Sequence, residues 1–218
     1  MVLDEALERN PSDDHAPYFL GSFFFAHGRY DDAAKAWLQA LGKGFDDAVL
    51  ERNLGVYDWR VKGDLKGAAA YYEKAIRLAP ASFRLYLDLD EIYAKLGDPS
   101  RRAKLFASAP AAVLERDTVR ARRALLAIDQ QDFDQALALL KDHHFKPWEG
   151  GEVIRQIFVR ANIGKGKRAL ANKDYAQAEQ AFRQALEYPV NLGVGKPEKP
   201  HNEEALRWLG EALAAQHR

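Results

Sequence analysis

The sequence predicts an all-α protein, a superhelical solenoid of antiparallel helix pairs. Three observations carry that reading. Small side chains recur where two helices must cross, with aromatic residues at helical spacing around them. Apolar residues elsewhere keep the helical period, as in Leu125, Ile128, Leu137 and Leu140. No stretch alternates apolar and polar residues as a half-buried strand does.

The clearest unit runs from about 14 to 45. Its first helix, expected over 15–27, carries Tyr18, Leu20, Gly21 and Phe24. Gly28 ends that helix, because a left-handed residue there costs a glycine least. A second helix, over 30–42, carries Ala33, Trp37 and Ala40. Gly21 and Ala33 sit where the backbones approach, and Phe24, Tyr30 and Trp37 are expected to fill the surrounding space. The pattern recurs at about 47–80, where Ala68, Tyr72, Ala75 and Pro80 follow the turn Gly63-Asp64. A degenerate copy at 82–113 has Tyr86, Leu89, Tyr93, Gly97 and Phe106, but puts Arg102 in the small-residue place, so a looser turn is expected. Copies at 115–145 (Ala124, Ala127, Phe133, Ala136) and 152–189 (Ala169, Tyr175, Ala178, Phe182) follow. Helices are expected over 47–62, 65–79, 82–96, 99–108, 115–130, 132–142, 152–172, 175–188 and 201–217. The terminal helix opens on Trp208-Leu209-Gly210 as a first helix would. Leu3, Ala6 and Pro11 match the end of a second helix, giving a helix over 2–9 and a partial repeat over 1–11. The whole chain is thus expected to be one repeat array and a segment of a longer protein. The alternative is that its end helices are solvating caps. This unit resembles the tetratricopeptide repeat, two antiparallel helices in about 34 residues.

Composition narrows the functions. Lys plus Arg equals Asp plus Glu, 32 each, so the chain lacks the basic surplus of a nucleic-acid or acidic-membrane binder. The sequence holds no cysteine, hence no disulfide or thiolate metal site, which fits a cytoplasmic location. No apolar run reaches the length of a membrane span. No serine stands in a nucleophile elbow, so no enzyme activity and no cofactor are expected.

Two connections are longer than a repeat turn needs, 143–152 and 188–200, and long loops are more often functional than neutral. His-Phe-Lys-Pro-Trp-Glu-Gly-Gly-Glu at 144–152 and Tyr-Pro-Val-Asn-Leu-Gly-Val-Gly-Lys-Pro at 188–197 carry a narrower resemblance. So do 59–64 and Tyr71-Tyr72-Glu73-Lys74-Ala75. Together they resemble the C-terminal repeat region of large bacterial proteins whose N-terminal part is β-rich and like a carbohydrate enzyme. That resemblance implies a role beside such a part, as a docking region or as an accessory wall for substrate.

Both loops follow second helices of adjacent repeats, so they are expected together on one edge. His144, Trp148, Glu149, Glu152, Asn191 and Lys196 are the candidate partner-binding residues there, with Trp148 offering a flat apolar face. The alternative is that Trp148 plugs the fourth repeat and the glycines only make turns. A second candidate surface is the concave groove of first helices: Tyr18, Ser22, Asn53, Tyr57, Arg60, Glu91 and Lys95, with Lys167. Aromatics mixed with Arg and Asn suit recognition of a protein or peptide. The expected partner is therefore a protein, a peptide or another domain of the parent protein, with neither nucleic acid nor membrane.

Three motifs are set aside. His143-His144 lacks the convergent ligands that zinc needs, so no metal is expected. Gly164-Lys165-Gly166-Lys167 lacks the rest of a phosphate loop and is expected to soften or kink a long helix. Arg116, Arg120, Arg122 and Arg123, interleaved with Glu115 and Asp117, read as a solvated face of i,i+4 pairs.

Overall fold

The structure is a computed structural model that describes residues 13, 15–146 and 151–216, apart from the side chains of 151 and 152. The expected helix over 2–9 lies outside the described residues. The chain divides into two compact units, Met1–Val113 and Leu114–Arg218. All regular structure among the described residues is helical.

The first unit contains three helix pairs. They are α1 (His15–Ala26) with α2 (Tyr30–Gly42), α3 (Ala48–Tyr57) with α4 (Leu65–Leu78), and α5 (Phe83–Lys95) with α6 (Pro99–Ala107). The second unit pairs α7 (Asp117–Asp129) with α8 (Phe133–Lys141) and α9 (Gly151–Ala171) with α10 (Tyr175–Ala185), then adds α11 (Glu203–Gln216). A single helical turn, Ala111–Leu114, precedes α7. The expected helix over 115–130 is shorter at its N-terminus for that reason.

The pairs share one turn chemistry. A left-handed residue ends the first helix, and in every pair but the first an aspartate caps the second; in the first pair Arg29 holds the cap position without a side-chain bond. Asp64, Asp98 and Asp132 stand 34 residues apart and accept from the amides of Gly67, Arg101 and Gln135 at 2.9–3.0 Å. Asp174 does the same for Gln177. These carboxylates satisfy helix-end amides that have no intrahelical partner. Gly28, Gly63 and Gly97 supply the left-handed place, but Gln131 (φ 60) and Lys173 (φ 61) also hold it.

The helices of a pair cross where sterics demand. A Cβ on Gly21 would lie 2.4 Å from the Trp37 ring, and one on Gly55 would lie 2.8 Å from Tyr72. Gly166 takes the ring of Phe182 in the same way. In the fourth pair, Ala124 and Ala136 are both fully buried. Trp37, Tyr72 and Phe182 are buried almost completely, and each such ring contributes about 2–3 kcal/mol of burial. Tyr30 departs from expectation: it is 42% exposed and meets only the edge of Phe25.

The third pair solves the crossing differently. Its two small residues are replaced by Asp90 and Arg102, which form a buried ion pair instead of a loosened turn. The second pair has one residue more than the others. From crossing residue to left-handed residue the chain counts seven from Gly21 to Gly28, and likewise to Gly97, Gln131 and Lys173 in the later pairs. From Gly55 to Gly63 it counts eight. The extra residue is taken up as a π turn, Asp58–Lys62, where a continuous α-helix to 62 was expected.

The helix α9 runs through Gly164 and Gly166 without a break. Those glycines admit the rings of Phe133 from α8 and Phe182 from α10, which a Cβ would meet at 2.3–2.4 Å. Close approach from both sides, not flexibility, accounts for the pair.

Candidate functional site

In the second unit the two long connections are tied to one another at a single residue. The Asn191 amide shares its two hydrogens among the carbonyls of Leu140 (2.8 Å), Lys141 (3.0 Å) and His143 (3.0 Å). These are orphan acceptors at the end of α8 and just beyond it. In return the Asn191 carbonyl accepts from the Phe145 amide at 2.8 Å. Phe145 and Leu192 are buried beside this knot. A second tie comes from α7, where the Asp117 carboxylate meets His143 Nε2 at 2.7 Å and accepts from the Lys146 amide at 3.0 Å. Burial pushes that carboxyl up, but the His143 and Lys146 bonds outweigh it and hold the group below the usual aspartate value.

Above the knot lies a cleft of about 410 Å³ between α8, α9, α10 and the turn at Val190–Leu192. Leu137, Leu140, Phe158, Pro189 and Leu192 give it apolar walls. Asp134, Lys165, Gln184 and Glu187 stand among its polar lining, and Lys165 reaches Asp134 at 2.7 Å. Asn162 also lines it, 1% exposed, with Nδ2 donating to Phe158 O in its own helix. Its Oδ1 is buried without a partner among the described residues. Val190, between the lining residues Pro189 and Asn191 in sequence, is 91% exposed. Such a site can hold a large side chain or a short apolar segment of another molecule.

The predicted loop-edge residues are placed as follows. Asn191 gives its amide hydrogens to the chain's own carbonyls, and it also lines the cleft. His144 and Lys196 are exposed. Trp148 and Glu149 lie outside the described residues, as does the side chain of Glu152. His143 meets Asp117, and the described residues contain no group of three or more metal-type ligands.

In the first unit the predicted groove residues fall on α1, α3 with its π turn, and α5. Tyr18 packs against Phe45, ring centres 5.0 Å apart. Ser22 donates to Tyr18 O within its own helix. Asn53 is half-buried. Tyr57 donates to Asp31 Oδ1 at 2.6 Å, and that bond pushes its phenol up from the ordinary value. Arg60 lies 3.6 Å above the Trp59 ring, and Glu91 meets Lys95 at 3.9 Å. Two residues that the sequence reading missed belong with them. Burial pushes the Asp88 carboxyl above the ordinary aspartate value, against the bond it accepts from Tyr72 at 3.1 Å and the charges of Arg52 and Arg60. Arg52 sits on α3, so the link runs between helices and leaves no local signal. In the second unit, Lys167 pairs with Glu204 at 3.1 Å and lies over Trp208.

No described helix is long and apolar enough to cross a membrane. The family model described as tetratricopeptide repeat matches residues 2–48 and 163–218, and a second of the same description matches 62–82. No curated protein matches by sequence. Solved structures share the fold. YrrB, described as a TPR protein with an unusual peptide-binding site, is 17% identical over 95% of this chain and 97% of its own, with a TM-score of 0.63. The C-terminal part of a TPR repeat-containing protein from Cytophaga hutchinsonii is 18% identical over 90% of this chain and 73% of its own, TM-score 0.61. The Naa15/Naa10 assembly bound to HypK-THB is 14% identical over 99% of this chain and 31% of the matched chain, TM-score 0.66.

Proposed function

We propose that this chain, which is built of tetratricopeptide repeats, works by holding another protein, and that the cleft of its second unit takes an anchor from that partner. The observation that carries this is the cleft itself, where apolar walls stand among polar and charged side chains, with the exposed Val190 next to two of its lining residues in sequence. Clefts of a few hundred Å³ with that balance are the usual form of a binding site. Repeat proteins bind through extended surfaces because each unit packs only on its neighbours. The peptide-binding site described for YrrB supports a partner of peptide size.

The partner is either a separate protein or another domain of a longer polypeptide. The first-helix residues of the first unit, with Arg60 and Lys95 exposed, are a second surface in the same reading.

Peptide display on the full chain, followed by NMR mapping of the selected peptides, tests it. Shifts are expected at Leu137, Ala138, Phe158 and Val190, and Ala138→Trp, which fills the cleft, is expected to weaken binding at least tenfold. Peptides that map elsewhere on the second unit, or that bind Ala138→Trp as tightly, overturn the cleft.

A further inference from the structure

The arginines at 116–123 do not all join the solvated, paired face that their spacing predicts. Arg116 and Arg122 have partners of their own. Asp117, the acid nearest in sequence, has given both carboxylate oxygens to His143 and the Lys146 amide. Arg120 and Arg123 remain, one turn apart on one helix face and both half-buried. Arg120 turns Nη1 to the Leu139 carbonyl at 3.3 Å, and its Nε is buried with no acceptor among the described residues. Neither guanidinium forms an ion pair with a carboxylate among the described residues. Burial first, and Arg120 beside it second, pull the Arg123 guanidinium down from its ordinary value, so the two like charges feel one another.

Two forked cations held together in a partly dry place are an unsatisfied arrangement. A planar anion between them removes the repulsion and meets their donors two at a time. We propose that Arg120 and Arg123 form an anion site that takes a carboxylate from an acidic side chain of a protein partner, an inference that rests on the protein-holding reading above. The carboxylate is preferred to phosphate because the Leu139 carbonyl oxygen stands at the site. A dianion is repelled by that dipole more strongly than a monoanion is. Partial burial limits screening, so the site works at moderate salt.

The test uses the full chain and the Nε–Hε signals of Arg120 and Arg123 in NMR. An acetylated, amidated tetraglutamate peptide is expected to shift both signals saturably and to raise Tm. The matching tetraglutamine peptide is expected to do neither. Arg123→Gln is expected to weaken tetraglutamate at least tenfold and, without any ligand, to melt higher than the wild type. Arg123→Met, which keeps the aliphatic stem, is the second variant if Gln disturbs folding. Equal response to glutamate and glutamine peptides overturns the site, as does undiminished binding by both variants. Saturation by inorganic phosphate at lower concentration than by the peptide overturns the carboxylate assignment. If these titrations fail while display-selected peptides still map to the cleft, only the arginine site falls.

Discussion

Arg102 donates from Nε to Asp90 Oδ1 at 2.7 Å and from Nη2 to Oδ2 at 3.3 Å, with both side chains buried between α5 and α6. The pair stands where the neighbouring repeats place glycine or alanine on each helix. Removing one partner leaves the other charge stranded. Arg102→Ala is expected to lose about 3–5 kcal/mol. The double variant Asp90→Gly with Arg102→Ala restores the small pair and is expected to recover most of that loss. Urea unfolding of the three proteins measures it. A double variant no more stable than Arg102→Ala would refute the equivalence of the two crossings.

Gln131 and Lys173 hold left-handed backbone where the first three pairs use glycine. A side chain in that region costs about 1–2 kcal/mol. Gln131→Gly and Lys173→Gly are each expected to stabilise the chain by up to about 1 kcal/mol, after the entropy that glycine brings to the unfolded chain is set against the gain. Thermal melts that show either variant less stable contradict this.

Asn191→Ala removes the donor shared by three carbonyls around the end of α8. A loss of about 1 kcal/mol or more is expected, since partly buried acceptors lose their partner. Hydrogen exchange should quicken at the Phe145 amide and in the last turn of α8, while α2 and α4 stay unchanged. Uniform quickening across the chain would show that the residue does not act locally.

Glu51 is 1% exposed, its Oε2 has no partner among the described residues, and Lys74 stands 3.7 Å from Oε1. Burial pushes its carboxyl above the ordinary 4.5, against the pull of Lys74. An acid whose folded pKa is raised binds its proton more tightly in the folded state. Its contribution is therefore best below 4.5 and declines as pH rises from there through the folded value. Glu51→Gln is expected to gain stability relative to wild type across that window and to show no gain at pH 4. Parallel stability curves for the two proteins would exclude it.

Steric necessity was the legible part. Gly21 and Ala33 announce the crossing because only small side chains let two helices touch, and the arrangement repeats. The outlier at Arg102 was visible too, but its answer, Asp90, sits on a different helix at a spacing that no local rule marks. Asn191 read as a ligand-facing amide because loop asparagines are versatile. Its actual acceptors lie about 50 residues away in sequence. The α7 arginines misled for a related reason: their nearby aspartate was claimed by His143 from beyond the next helix.

The turn at Asp58–Lys62 bears on how this chain varies through descent. A lineage that gains one residue inside a first helix can absorb it as a local widening, with the capping aspartate and the following helix left in place. A gapless comparison of such repeats slips by one beyond Gly55 and assigns Trp59 and Arg60 to the wrong sides of the helix. A deletion engineered there is the natural counterpart, a repeat returned to the common length.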